Sequence, residues 1–193
     1  MMLRKVIVLI LLLLIFGIVA AQDTESPFTM LGDGETPSIM HLGVDRENRD
    51  YPYSEQYTDP GAAIYYEGQF HLFRNGFRGW PAAVWIHHLV SEDGIVWEQA
   101  SDEPILHSND VPFATVAALA SSVIVEDDGT WVLYFYTWNA ITGLHSNGEI
   151  GRATADNPQG PWIVDAEPVL SGGEEGRFDE RGVGSPQVLV TDE

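Results

Sequence analysis

Asp59, in Thr58-Asp59-Pro60-Gly61, is the residue best placed to do chemistry. It stands at the mouth of a compact apolar run, Ala62–Tyr66, and an acid there can serve as a base, a nucleophile or a ligand for sugar hydroxyls. The competing reading of Asp59 is structural: a turn aspartate capping free backbone amides beside a proline. Trp80, between Gly79 and Pro81, and Trp138, just before Asn139, are candidate rim residues, because the apolar face of a sugar ring stacks on aromatic rings. Arg74-Asn75 closes a second β-rich run and would bind hydroxyls or a carboxylate if it faced the same pocket. His71, His87 and His88 lie in strand-like runs. Adjacent His87 and His88 point to opposite faces of a strand, and none of the three shows a metal-ligand spacing, so all are read as structural. Asp127-Asp128-Gly129 lacks the further ligands and terminal Glu of a calcium loop and reads as a hairpin turn. No phosphate loop and no Ser-His-Asp pattern stands out, so neither metal nor cofactor is expected.

The elements that must position Asp59 recur. Ala62–Phe73 is an apolar strand, a Gly turn and a second strand. Ser122–Tyr134 repeats that pattern, with Gly68 and Gly129 61 residues apart. Each unit later closes on a tryptophan (Trp97, Trp162) and a Pro-aliphatic-Leu triplet (Pro104-Ile105-Leu106, Pro168-Val169-Leu170). A third unit starts at Gly184-Ser185-Pro186. Four short strands per unit, at this period, predict an all-β chain built as blades of a β-propeller, with two blades and the start of a third. The first blade is expected over about residues 58–106, its strands at Ala62–Tyr66, Gln69–Phe73, Ala83–Val90 and from Val96. The second is expected over about 115–170, its strands at Val123–Glu126, Trp131–Trp138, Gly148–Thr154 and Trp162–Val164. Residues 172–181 read as a loop feeding the third unit. Thr115–Val125 is apolar enough to imitate a helix, but the Asp-Gly turn after it argues for strand. Because a blade ring must close to satisfy its edges, a truncated propeller is expected.

Residues 1–22 read as a signal peptide: Arg4 and Lys5, then an apolar run from Val6 to Ala20, then small residues for cleavage. The expected localisation is therefore secreted or cell-surface. Residues 23–57 read as a polar leader and 58–193 as the partial propeller. The whole chain has a formal charge of −20, and residues 1–22 hold Arg4 and Lys5 and no carboxylate, so the remainder is more acidic still. Such a surface repels nucleic acid and anionic lipid but not a neutral sugar chain. With no cysteine, disulfides, thiolate metal sites and cysteine nucleophiles are excluded.

Asp59-Pro60-Gly61 before a β-run, Ser91-Glu92-Asp93-Gly94-Ile95-Val96-Trp97, the segment 153–162 ending in Asn157-Pro158-Gln159-Gly160-Pro161-Trp162, and the segment 178–186 together resemble the five-bladed propeller glycoside hydrolases, families 43 and 32. The resemblance covers about residues 55–193. It implies hydrolysis of glycosidic bonds in an extracellular oligo- or polysaccharide, with Asp59 as general base or nucleophile. It also implies a second Asp and a general-acid Glu. Where the invertase-like enzymes have Arg-Asp-Pro, this chain reads Gly184-Ser185-Pro186; the Glu is expected at or beyond Glu193. Asp179 and Glu180 are the nearby substitutes, with solvated loop residues as their competing reading. Two other functions remain open: a non-catalytic carbohydrate-binding propeller and a glycoside phosphorylase.

Overall fold

The computed structural model describes residues 57–77, 83–139 and 147–191, all within one compact unit, Gly34–Glu193. They form nine strands: β1 (Tyr57–Tyr66), β2 (Gln69–Phe77), β3 (Val84–Ser91), β4 (Glu98–Gln99), β5 (Leu106–His107), β6 (Ala117–Val125), β7 (Trp131–Trp138), β8 (Ile150–Ala155) and β9 (Ile163–Val164). One 3-10 turn spans Ser108–Asp110. Among the described residues there is no α-helix, and no helix is long and apolar enough to cross a membrane. The expected signal segment, the leader up to Gln56 and Trp80 lie outside the described residues.

Each sheet is an antiparallel meander. The first runs β1-β2-β3-β4, with β5 also paired to β3; the second runs β6-β7-β8-β9. Both leading hairpins turn where a backbone free of Cβ is needed: Gly68 has φ +87° and Gly129 has φ +90°. In the second hairpin Gly129 N–H donates to the Glu126 carbonyl and the Asp128 carboxylate accepts from Thr130 N–H. This is a turn, as read from the sequence.

The blade-end tryptophans have a shared local role. The Trp97 indole donates to the Gly94 carbonyl (3.0 Å) and the Trp162 indole to the Pro158 carbonyl (3.2 Å). Each ring also packs inward, Trp97 on Phe70 and Trp162 edge-on to Phe73. The outer strand of the first sheet starts at Glu98 rather than Val96. The Asp93 carboxylate captures the amides of Ile95 and Val96 and the Ser91 hydroxyl that of Gly94, so those groups serve the turn before the ladder begins.

The two sheets share one core. Ala62, Phe73, Phe77, Val84 and Ile86 of the first cluster with Ala117, Leu119, Ala120, Val123, Trp131 and Leu133 of the second. Trp131 stands edge-on to Tyr66 and His71. His71 and His88 stack and share a hydrogen bond of 3.0 Å. Burial pushes the His88 imidazole down to about 4, with His71 beside it adding to the effect, and burial lowers His71 as well. The pair is packed as neutral aromatic rings, in line with the structural reading of these histidines.

The start of the third unit differs from expectation. Residues 184–191 carry no strand assignment, because a strand needs a ladder partner and none is among the described residues. The segment is nonetheless fixed to β6: Val188 N–H donates to the Ser122 hydroxyl (3.1 Å) and the Gln187 amide to the Ser121 carbonyl (3.0 Å).

Candidate active site

Asp59 lies within β1, opposite Asn75 of β2, immediately before a register shift that ends at Ala62. The local sequence makes this shift. Pro60 has no N–H to give a ladder, and Gly61 takes φ +68°. A Cβ on Gly61 would run into the Phe73 carbonyl oxygen, so the bulge is built for glycine alone. β6 shows the same irregularity between Ala120 and Ser122. The residue of the second blade before the shift is thus Ala120, and an acid at Asp59 is no requirement of the repeat.

Two donors fix the Asp59 carboxylate. Asn75 Nδ2 (2.7 Å) and Gly61 N–H (3.1 Å) both reach Oδ1. Oδ2 accepts no hydrogen bond among the described residues and is left for a water or a ligand hydroxyl. Burial raises the Asp59 pKa above the ordinary carboxylate value, while the bonds from Asn75 and Gly61 pull it back. A carboxylate anchored through one oxygen, with the other open, has the form of a base or nucleophile. The capping reading of Asp59 describes the Oδ1 half of the same group.

Asn75, 1% exposed, also joins the blades. Its Nδ2 donates to the Ala120 carbonyl (3.0 Å) and its Oδ1 accepts from Ala120 N–H (2.8 Å). The amide thus ties Asp59 to the inner strand of the second blade.

Tyr136 on β7 is half-buried; its ionisation is disfavoured first by burial and then by the charge of Asp59, while a side-chain hydrogen bond with Ser185 favours it. A Cβ on Gly184 would sit 3.4 Å from the Tyr136 ring. Sequence reasoning did not single out Tyr136, because in the run Tyr134-Phe135-Tyr136-Thr137-Trp138 nothing marks one aromatic over the next.

The other sequence candidates fall elsewhere. Arg74 is fully buried, and strand alternation turns it to the face of β2 opposite Asn75. Trp138 ends β7 half-buried against the shared core. The Asp179 backbone carbonyl accepts from Gly173 and Gly182, and its carboxylate lies 3.7 Å from Arg177. The Glu180 carboxylate accepts from Gly176 N–H and lies 3.7 Å from Arg181. The Glu180 carboxylate is thus engaged by its own loop, whereas Asp179 Oδ1 is buried with no hydrogen-bond partner among the described residues and only the 3.7 Å ion pair to Arg177. Among the described residues, no group of three or more His, Asp or Glu side chains is placed to hold a metal ion.

The sequence pattern of the glycosyl hydrolases family 32 N-terminal domain matches residues 51–189. No curated protein matches the chain. Solved structures do. A family 117 glycoside hydrolase of the marine bacterium Zobellia galactanivorans superposes with TM-score 0.59 at 21% identity, over 76% of this chain and 48% of its own. A GH43_1 enzyme from Xanthomonas citri complexed with xylotriose gives 0.51 at 21% identity, over 70% and 38%. A family 43 β-xylosidase/α-arabinofuranosidase from a compost microbial metagenome, also with xylotriose, gives 0.51 at 19% identity, over 70% and 40%. At these identities the likeness is one of fold, and the fold is the propeller. The chain spans under half the length of each of these structures.

Proposed function

The chain belongs to the glycosyl hydrolases family 32 N-terminal domain family, and on that footing we propose that the protein hydrolyses O-glycosidic bonds of an extracellular oligo- or polysaccharide. The observation that carries the reading is Asp59: a half-buried carboxylate inside the matched segment, anchored through Oδ1 by Asn75 and Gly61, with Oδ2 open. It acts as the base or nucleophile. Glycoside hydrolysis needs a second carboxyl group as acid, and the separation of the two sets retention or inversion. Asp179, whose Oδ1 is buried with no hydrogen-bond partner among the described residues, is the loop candidate for that role, ahead of Glu180, whose carboxylate accepts from Gly176 N–H in its own loop. Residues 1–22 are proposed as a signal peptide, 23–57 as a leader, and the blades as two of five, followed by the start of a third. Candidate substrates are fructosides, from the family, and xylosides, from the xylotriose bound by two fold neighbours.

A second reading, a carbohydrate-binding propeller without turnover, is favoured by Ser185 standing where an Asp was expected. One assay separates the two: release of reducing sugar from sucrose, fructo-oligosaccharides and xylotriose, with and without inorganic phosphate. Hydrolysis independent of phosphate supports the proposal. Binding without release supports the second reading, and turnover only with phosphate identifies a phosphorylase.

A further inference from the structure

At the far end of the strands from Asp59 the two blades enclose a second cleft, of about 390 Å³. β1 carries Asp59 near its start and Tyr66 at its end, which sets the cleft roughly 20 Å from Asp59 at the usual rise of a strand. The β1–β2 turn, the β6–β7 turn and the loop after β8 all come to this end. Tyr66 and Trp131 back the cleft, edge-on to each other with ring centroids 5.3 Å apart, and Glu67, Gln69 and Asp156 stand around them. Trp131 is 4% exposed, yet its indole N–H has no acceptor among the described residues. The indoles of Trp97 and Trp162 each donate to a carbonyl, as a buried tryptophan ordinarily does. The side chains of Glu67, Gln69 and Asp156 likewise make no hydrogen bond or ion pair among the described residues. Asn157, next in the chain, is by contrast held in its own turn by the Gly160 carbonyl and the Gln159 amide. Glu67 is also at φ +49°, beside Gly68 at +87°. A two-residue hairpin turn of this hand favours Asn, Asp or Gly at its first position, so the glutamate is set at the cleft against the local preference.

We propose that this cleft between the blades binds a neutral sugar ring at a site separate from Asp59. Carboxylates alone would suit a cation. The Gln69 amide and the Trp131 N–H, however, are donors that need an acceptor, and an ammonium group has none. A polyhydroxylated ring meets both demands: its hydroxyls donate to Glu67 and Asp156 and accept from Gln69 and Trp131. Its C–H face packs on the aromatic rings. The site holds a sugar chain on the protein without acting on it. No step at Asp59 passes through it, so it stands apart from the reading of Asp59.

The test follows the indole resonances of isotope-labelled tryptophan in the full chain while xylotriose or a fructo-oligosaccharide is added. The Trp131 resonance is assigned by its loss in Trp131→Phe. At about 10 mM sugar, above a weak millimolar Kd, the Trp131 resonance shifts with at least one of the two. Glu67→Gly removes the carboxylate and relaxes the turn, so its melting temperature does not fall. Glu67→Gly and Gln69→Ala each weaken the binding seen at Trp131 by about three- to tenfold, the range of one lost hydrogen bond. Asp59→Asn leaves that binding unchanged. No Trp131 shift with either sugar overturns the proposal, whatever the protein hydrolyses. So does a shift that Glu67→Gly and Gln69→Ala both leave at full affinity. A shift with spermidine and with neither sugar identifies a cation site and overturns the sugar assignment. A Trp131 shift in a chain that hydrolyses neither sugar supports the cleft and counts against the glycosidase reading alone.

Discussion

Asn75→Ala tests the joint between the blades. The side chain makes three hydrogen bonds: to Asp59 Oδ1 at 2.7 Å, to the Ala120 carbonyl at 3.0 Å, and from the Ala120 amide at 2.8 Å. Asn75 and Ala120 are 1% and 2% exposed. Truncation leaves the Ala120 N–H and C=O buried without this partner, and each such group costs about 1–3 kcal/mol. The expected loss is about 2–6 kcal/mol, a large share of the roughly 5–15 kcal/mol by which a domain is stable. The same change removes the bond that lowers the Asp59 pKa, so that pKa rises further. Urea denaturation reads the first effect and carboxyl NMR titration of Asp59 the second. Asn75→Asp is the control: it can still accept from Ala120 N–H, cannot donate, and sets a like charge against Asp59. Its Asp59 titration moves upward by more than in Asn75→Ala. A stability change below about 1 kcal/mol with an unmoved Asp59 titration refutes the clamp.

Gly61→Ala places a Cβ against the Phe73 carbonyl at φ +68°. It is expected to cost about 2 kcal/mol or more by the strain of that conformation alone, read as a lower melting temperature. Its NMR signature is a shifted Asp59 titration, because Gly61 N–H is one of the two Oδ1 donors. The buried pair His71–His88 makes stability depend on pH. With His88 lowered from 6.5 to about 4, its neutral form is favoured in the fold. That stability is fully present above pH 6.5 and is lost as pH falls through about 4, amounting to about 3 kcal/mol for His88 by linkage. His88→Phe keeps an aromatic ring between Phe73 and His71 and is expected to flatten denaturation free energy over that window relative to the unsubstituted protein. An unchanged slope contradicts the neutral packing of the pair.

Much of the fold was legible because its signals are local. The Gly turns at Gly68 and Gly129, the alternation on either side of them and the recurring Trp97 and Trp162 are short-range features, and the two sheets follow them. The helix-like run before Asp127 is strand β6, as the turn after it indicated. Boundaries slipped where side chains compete with the ladder, as at Asp93, whose carboxylate holds back β4. Asp59 was visible because it breaks the repeat, and the second blade shows Ala120 in its place. What the sequence did not reveal depends on contacts across the two sheets. Asn75 was read together with Arg74 as a ligand-binding pair, yet alternation sends them to opposite faces and only Asn75 meets Asp59. The hydrogen bond between Tyr136 and Ser185, some fifty residues downstream, is likewise encoded by no local pattern.

The central claim is that the Asp59 carboxylate carries glycosidic chemistry. Turnover and binding of the same sugar by the unsubstituted protein and by Asp59→Asn test it most directly, since Asn keeps the size and the Oδ1 acceptor and removes the charge. The account predicts turnover reduced by about 100-fold or more, the scale of a lost catalytic base, with sugar binding retained and the fold intact by circular dichroism. Undiminished turnover in Asp59→Asn would contradict it and move the chemistry to another residue.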